Sequence, residues 1–216
     1  MKRCVIVTSF QSEALKSSFE FEPDDFIICA DGGYTHARAE GVVPDAVIGD
    51  SDSVDFDKVV NDLQCCGLTG CRTIRVATEK DDTDTMICLK YGMDQGFQDF
   101  FILGGLGGRL DHTMANLQTM VYAVDHQRNI WILDGSNKAT LRNPGSITIQ
   151  RQSGYKLSLF AFGERCEGVT IRGVKYPLTG HLLKNDFPLG VSNEFLEDHA
   201  EISHDSGKLL IILSHD

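Results

Sequence analysis

Residues 26–48 read FIICADGGYTHARAEGVVPDAVI and contain a predicted strand, a helix and a second strand in succession. The apolar run Phe26–Ala30 predicts a buried strand, and Tyr34–Glu40 predicts a helix that ends at Gly41, because glycine is common just past a helix C-terminus. A second apolar run, Ala46–Ile48, follows. A strand, a helix and another strand in this order predict two parallel strands of one sheet.

The same alternation extends over the first 128 residues. Further strand-like runs occur at Cys4–Val7, Thr73–Val76 and Phe100–Leu103. Further helices are predicted at Thr83–Tyr91, ending at Gly92, and at Thr113–His126. Alternating strands and helices predict a parallel sheet that is covered by helices on both faces. We therefore predict an N-terminal α/β domain over residues 1–128.

From residue 129 the pattern changes to short runs with a period of two, as in Tyr155–Phe160, which is typical of half-buried strands. Turn-forming residues such as Asn143-Pro144-Gly145 recur between these runs. The pattern predicts a C-terminal all-β sandwich over residues 129–216. Its last two strands, His199–His204 and Lys208–Ser214, are predicted to form a hairpin.

The composition excludes several classes of protein. The hydrophobic content is 42% and the net charge is −11, which argues against a general nucleic-acid binder, since such proteins normally carry a basic face. No stretch approaches the roughly 20 apolar residues of a membrane span, and the N-terminal apolar run is too brief to predict a signal peptide. The seven cysteines lie mostly in apolar strings, which predicts reduced thiols and a cytoplasmic location.

Polar clusters follow the C-terminal ends of four predicted strands. They are Asp31-Gly32-Gly33, Gly49–Ser53 (GDSDS), Glu79–Asp84 (EKDDTD) and Gly104–His112 (GGLGGRLDH). In open α/β sheets the carboxyl ends of the strands line the ligand crevice. We therefore expect these loops to meet at one edge of the sheet and to form a single site.

The carboxylates of these loops fit a divalent cation. Asp50 and Asp52 are two residues apart on an extended segment and point to the same side, whereas Asp81 and Asp84 have the spacing of one helix face. Hard carboxylate oxygens are the ligands that Mg²⁺ requires, together with phosphates and water. These four aspartates are the predicted metal ligands.

The other residues of the loops fit a polyphosphate. Lys80 and Arg109 can neutralise phosphate oxygens, and arginine offers a bidentate fork. The paired glycines at 104–105 and 107–108 leave backbone N–H groups accessible to an anion, close to the positive N-terminus of the next helix.

Ordinary explanations exist for single loops. Asp31-Gly32-Gly33 alone is typical of a turn, and Asp82 or Thr83 can cap a helix. Residues 50–54, DSDSV, also match the D-x-D-x-[TV] loop of haloacid-dehalogenase-type phosphatases, in which Asp50 would be a nucleophile. That loop normally follows the first strand of its domain, whereas two strands precede it here.

Together, the loops resemble those of the thiamine pyrophosphokinase family. That family carries A-D-G-G, P-D-x-x-x-G-D-x-D-S, K-D-x-T-D and G-G-x-x-G-R-x-D-H in this order, and the chain has matching stretches between Ala30 and His112. Gly173–Leu178 and Gly190–Glu194 resemble the family's G-x-x-Y-P-L and G-x-S-N-E stretches. The chain departs from the common family pattern at Ser51, Met86 and Val191.

The resemblance implies that the chain transfers the diphosphoryl group of ATP to the hydroxyethyl group of thiamine, giving thiamine diphosphate and AMP. It implies a Mg²⁺-dependent homodimer, with thiamine contacts at Ser192 and Asn193. The implied catalytic residues are Asp50, Asp52, Asp81, Asp84, Arg109 and Asp111. The implied contacts to ATP and its phosphates are Asp31, Gly32, Gly33, Ser53, Lys80, Thr83, Gly105, Gly107, Gly108, Arg109 and His112.

Some alternatives stay open at this point. The general base is either Asp111 or one of the metal-ligating aspartates. A pyrophosphokinase for another small alcohol, such as a hydroxymethylpterin, would use the same N-terminal loops. A non-catalytic sensor of thiamine would be expected to lack some of the metal carboxylates, and the sequence contains all four of them.

Overall fold

The computed structural model describes residues 2–50, 56–65, 70–76 and 81–216, and the chain divides into two compact units, residues 1–135 and 136–216. The predicted residues Asp52, Ser53 and Lys80 lie outside the described part of the chain. No helix within the described ranges is long and apolar enough to cross a membrane.

The first unit is built on a parallel sheet. Its strands are β1 (Arg3–Val7), β2 (Phe26–Ala30), β3 (Ala46–Gly49), β4 (Arg72–Arg75), β5 (Asp99–Leu103) and β6 (Asn129–Asp134). They pair in the order β4-β3-β2-β1-β5-β6, and every pair is parallel. Its helices are α1 (Leu15–Ser18), α2 (Gly33–Ala39), α3 (Phe56–Cys65), α4 (Asp84–Asp94) and α5 (Leu110–Asp125).

The strand order creates a switch point beside β1. The chain proceeds from β1 through β2 and β3 to β4 on one side, and then crosses to β5 and β6 on the other. The β1–β5 pair is therefore where the direction of strand addition reverses. In open α/β sheets a crevice forms at this point, outside the carboxyl ends of the strands. The fold thus indicates where a ligand would bind before any side chain is considered.

The second unit consists of antiparallel strands. They are β7 (Asn137–Arg142), β8 (Gly145–Gln150), β9 (Lys156–Ala161), β10 (Arg165–Arg172), β11 (Leu178–Lys184), β12 (Gly190–Asn193), β13 (His199–His204) and β14 (Leu209–Ser214). Four of them pair in the order β12-β9-β14-β7, and the others in the order β11-β10-β13-β8. The predicted fold class, a parallel α/β domain followed by an all-β domain, is confirmed.

Several details differ from the sequence-based expectation. The change of pattern at residue 129 coincides with the start of β6, which pairs parallel to β5 within the first unit. The hairpin predicted for the last two strands is wrong, because β13 pairs with β8 and β10 whereas β14 pairs with β7 and β9. Helices α1 and α3 were not predicted.

Helix α4 does not stop at Gly92 as predicted but continues to Asp94. Gly92 lies inside the helix because the helix packs closely on the sheet there. A Cβ atom at this position would lie 2.7 Å from Phe100 Cε1 and 2.8 Å from Cys4 Sγ. The chain leaves the helix at Gly96, which has a φ of 89°, a conformation that favours glycine.

Candidate functional site

A cavity of about 610 Å³ lies at the switch point of the first unit. Its walls come from the ends of β1, β2 and β5 and from the first turns of α4 and α5. It is lined by Thr8, Ser9, Phe10, Ala30, Asp31, Thr83, Asp84, Thr85, Gly105, Gly107, Arg109, Asp111, His112, Ala115 and Asn116. Three of the four predicted strand-end loops therefore contribute described residues to one cavity.

Asp31 enters the cavity from the end of β2 with an unusual backbone. Its φ is 51°, a left-handed conformation that is uncommon for residues other than glycine. Its N–H donates to the Ile48 carbonyl at 2.8 Å, which fixes the turn against β3. A Cβ atom on Gly49 would lie 3.0 Å from Asp31 Oδ1, so the glycine at position 49 leaves room for this carboxylate.

The glycine loop after β5 is shaped by an aromatic ring. Cβ atoms on Gly107 and Gly108 would lie 2.7 Å and 2.9 Å from the ring of Phe10, and Gly108 has a φ of 67°. From the sequence we expected the missing side chains of these glycines to leave space for an anion. In the structure that space is occupied by the ring of Phe10. The ring is 39% exposed and forms part of the cavity wall.

Asn116 on α5 was not predicted, although it lines the cavity. Its buried side chain donates from Nδ2 to the Gly105 carbonyl at 3.0 Å and so ties the glycine loop to the helix. Thr8, at the end of β1, donates from Oγ1 to the Leu103 carbonyl at 3.1 Å. The strand-end rule applied to β1 would have identified Thr8, whereas no sequence signal identifies Asn116.

Arg109 and Asp111 form a two-point ion pair at the mouth of the cavity. Arg109 Nε lies 3.1 Å from Asp111 Oδ1, and Nη2 lies 2.6 Å from Oδ2. The hydrogen bond from Arg109 lowers the pKa of Asp111 below its usual range, and the same bond raises the pKa of Arg109. Asp111 is therefore ionised but is a weaker base than an ordinary aspartate.

The start of α4 forms another wall. Thr83 is the N-cap, and its Oγ1 accepts from the Met86 N–H at 3.3 Å. Thr83, Asp84 and Thr85 line the cavity. Asp82 points elsewhere and forms an ion pair with Lys90 at 2.6 Å. The N-terminus of an eleven-residue helix is thus directed at the cavity, an arrangement that favours anions.

The predicted metal ligands are only partly brought together. Asp84 lines the cavity, whereas Asp50 and Asp81 are not among its described lining residues. Within the described ranges, no three His, Cys, Asp or Glu side chains form a group that could hold a metal. The cavity wall nevertheless carries the carboxylates of Asp31, Asp84 and Asp111, and hard oxygens of this type suit Mg²⁺.

Only some of the other residues predicted to contact the phosphates line the cavity. Gly105, Gly107 and His112 line the cavity, whereas Gly32, Gly33 and Gly108 stand beside it without lining it. Gly33 begins α2, where any side chain would collide with the Val7 carbonyl. Close approach of α2 to β1 therefore accounts for this glycine.

In the second unit, Asn193 organises the backbone around Tyr176. Its Oδ1 accepts from the Tyr176 N–H at 3.0 Å, and its Nδ2 donates to the Tyr176 carbonyl at 2.8 Å. Asn193 is buried, whereas Tyr176 is 61% exposed. The neighbouring Ser192 has a φ of 58°, and its N–H donates to Ser158 Oγ at 3.0 Å.

Known proteins share both halves of this chain. Residues 20–132 match the family model "Thiamin pyrophosphokinase, catalytic domain", and residues 146–209 match "Thiamin pyrophosphokinase, vitamin B1 binding domain". The chain is 26% identical over 196 residues to the thiamine pyrophosphokinase of Bacillus subtilis (strain 168). The matched region covers 88% of this chain and 87% of that protein.

Solved structures agree with this relationship. The crystal structure of thiamine pyrophosphokinase from Bacillus subtilis superposes with a TM-score of 0.86 at 23% identity and covers 100% of both chains. A thiamin pyrophosphokinase family protein from Enterococcus faecalis superposes with a TM-score of 0.83 at 27% identity and covers 99% of both chains. Because the catalytic-domain match alone spans more than half of the sequence, the chain belongs to the thiamin pyrophosphokinase family.

Proposed function

We propose that this enzyme transfers the diphosphoryl group of ATP to the hydroxyethyl group of thiamine, giving thiamine diphosphate and AMP. The observation that carries the proposal is the cavity at the switch point of the first unit. It lies among the residues that match the family's catalytic domain, apart from Thr8, Ser9 and Phe10. Its volume of about 610 Å³ falls in the range of sites for small molecules and nucleotides.

The reaction requires positioning and charge stabilisation more than covalent catalysis. The hydroxyl oxygen of thiamine forms a bond to the β-phosphorus, the bond from that phosphorus to the oxygen bridging the α-phosphate breaks, and AMP leaves. The guanidinium of Arg109 and the first turns of α4 and α5 offer positive potential to the phosphates. Asp111 holds that guanidinium at two points, and we assign it this orienting role.

We propose that Asp50, Asp52, Asp81 and Asp84 hold Mg²⁺. Of these, Asp84 lines the cavity together with Asp31. Bound Mg²⁺ would offset the negative charge of the triphosphate. The pairing with Arg109 makes Asp111 a weak base, which favours its orienting role over the role of proton acceptor.

We assign thiamine contacts to the second unit, which contains the vitamin B1 binding domain match. Ser192 is exposed and available to a ligand, whereas Asn193 acts by holding Tyr176 in place. We also propose a homodimer, supported by exposed apolar side chains in this unit. A cytoplasmic enzyme is supported by the six described cysteines, which are all free thiols.

The proposal is tested by incubating the purified chain with ATP, Mg²⁺ and thiamine and separating the nucleotide products. AMP formed in equal amount to thiamine diphosphate is expected, and ADP or free phosphate would reject diphosphoryl transfer. A parallel reaction with a hydroxymethylpterin in place of thiamine tests the second type of acceptor.

The contribution of the carboxylates is tested on α4. Asp84→Asn should lower kcat at least about 100-fold, because it removes a charged ligand at the reacting phosphates. The matched control is Asp94→Asn, since Asp94 is an exposed aspartate at the other end of the same helix. Equal turnover of the two variants would contradict the metal assignment.

A further inference from the structure

Asp134 is a buried carboxylate at the end of β6, and it is only 4% exposed. It does not line the cavity, and it lies just beyond residues 20–132 of the catalytic-domain match. We infer that Asp134 is a positioning residue for the reaction, because it joins the loop after β1 to the glycine loop after β5. The inference rests on the proposed function, since the cavity between these loops is the proposed ATP site.

Each oxygen of Asp134 binds a different loop. Oδ1 accepts from the backbone N–H of Ser12 at 3.0 Å and also from the Ser12 hydroxyl. Oδ2 accepts from the backbone N–H of Leu106 at 2.8 Å. The next residue, Gly135, has a φ of 53°, and a side chain there would collide with Ser12 Oγ. The turn after β6 is therefore built to admit Ser12.

Both loops provide walls of the cavity. The loop after β1 carries Thr8, Ser9 and Phe10, and the loop after β5 carries Gly105, Gly107 and Arg109. The Phe10 ring lies against Gly107 and Gly108, so a shift of one loop displaces the other. Because Arg109 is two residues beyond Gly107, the position of its guanidinium depends on this contact.

A carboxylate is required at position 134 for a specific reason. Three donors converge on its two oxygens, and these hydrogen bonds are partly buried. Asparagine has the same size but only one acceptor oxygen, and its NH₂ group would face a donor N–H. At least one loop would then lose its bond to Asp134, and a partly buried N–H or a buried carbonyl oxygen left without a partner costs stability.

Other contacts limit the damage to local movement. Gln11 Nε2 donates to the Leu103 carbonyl at 2.7 Å, and Thr8 Oγ1 donates to the same carbonyl at 3.1 Å. These bonds hold the loop after β1 near the sheet without Asp134. Asp134→Asn should therefore leave the fold intact while displacing the walls of the cavity.

The test compares Asp134→Asn with Ser12→Ala and with a matched control, Asp99→Asn. Asp99 is a partly buried aspartate at the opposite end of β5, and it accepts from Asn129 Nδ2 at 2.8 Å. For each variant one measures kcat, the KM values for ATP and thiamine, the melting temperature, and the affinity for Mg²⁺-ATP by titration calorimetry.

We expect Asp134→Asn to lower kcat/KM for ATP at least about tenfold, because small displacements of positioning groups reduce rates strongly. The KM for thiamine should change less than about twofold, since the proposed thiamine contacts lie in the second unit. Ser12→Ala retains the carboxylate and its bond to Leu106, so this variant should lose less kcat/KM for ATP than Asp134→Asn. Asp99→Asn should change only the melting temperature.

The inference is overturned if the melting temperature of Asp134→Asn falls as that of Asp99→Asn does while its kcat/KM for ATP stays at the wild-type value. Equal changes in the KM values for ATP and thiamine would also overturn it. If Asp134→Asn does not fold, Ser12→Ala decides, and unchanged kinetics of that variant reject the inference. If the wild-type chain forms no AMP, the proposed function fails, and the calorimetric affinities for ATP still test the positioning by Asp134.

Discussion

Asp31 combines an unfavourable backbone with a side chain in the cavity. A left-handed conformation costs a residue other than glycine about 1–2 kcal/mol. The φ of 51° therefore requires the surrounding contacts to hold this residue, including the hydrogen bond to Ile48 and the space beside Gly49. Such residues concentrate at functional sites. We therefore expect the backbone conformation of Asp31 to lower the stability of the fold while its carboxylate contributes to activity.

Asp31→Gly tests that opposition. Glycine relieves the backbone, so the free energy of unfolding should change by less than about 1 kcal/mol, while loss of the carboxylate should lower kcat/KM at least about tenfold. The matched control is Gln127→Gly, since Gln127 has a φ of 59°, is exposed and lies just after α5. Denaturant unfolding and the AMP assay measure the two effects. A large loss of stability in Asp31→Gly would show that the carboxylate has a structural role.

Arg109 controls the protonation of its partner. Because the Arg109 hydrogen bond lowers the pKa of Asp111, Arg109→Gln should raise that pKa towards the ordinary value, 3.8. A lowered pKa in the folded state stabilises the fold above the unfolded pKa, and this stabilisation is lost as the pH falls through the folded pKa. Carbon-13 NMR titration of the Asp111 carboxyl measures the shift. An unchanged titration midpoint in the variant would disprove the pairing in solution.

At the scale of elements, helix α4 depends on a glycine in its interior. Alanine is normally favoured over glycine within a helix by about 1 kcal/mol. At Gly92, however, an added methyl group would press on Phe100 and Cys4, and overpacking typically costs about 1–3 kcal/mol. We expect Gly92→Ala to lower the free energy of unfolding. Gly70→Ala is the control, since a Cβ atom there meets no atom of the described residues within 4 Å. Stabilisation by Gly92→Ala in denaturant unfolding would contradict the close packing.

The elements that the sequence predicts best are those with continuous apolar runs. Strand β2 was predicted with its observed bounds, Phe26–Ala30, because a fully buried parallel strand needs no polar face. The hairpin of β13 and β14 failed, since local turn residues do not specify that the chain passes from one sheet to another. The prediction that the helix ends at Gly92 was wrong for a related reason. The role of this glycine depends on its packing against a strand that is distant along the chain.

For the whole molecule, the strand-end rule located the cavity but not all of its residues. Asp31, Asp84, Arg109 and Asp111 could be predicted, because charges and glycines cluster at the ends of strands. The lining residues Phe10 and Asn116 could not be predicted, and neither could Asp134 behind them. Each acts through a contact with a loop that only the folded chain brings near. Gly107 and Gly108, which were predicted as anion contacts, also leave the space that the ring of Phe10 occupies.

The second unit presents apolar side chains that a homodimer would bury. Tyr176, Phe187 and Leu196 are 61%, 64% and 66% exposed. Phe187 also lines a cavity of about 320 Å³ with Leu182 and Leu189. Apolar side chains exposed side by side, as Phe187, Leu182 and Leu189 are here, are typical of protein interfaces.

Phe187→Asp should therefore weaken the proposed homodimer. Aromatic hot spots at interfaces contribute about 2 kcal/mol or more, so the dissociation constant should rise at least about 30-fold. Val43→Asp is the control, since Val43 is 50% exposed but belongs to the first unit. Sedimentation velocity over a dilution series measures both variants against the wild-type chain. The homodimer is contradicted if the wild-type chain sediments as a monomer at all concentrations, and the assigned surface is wrong if both variants dimerise equally well.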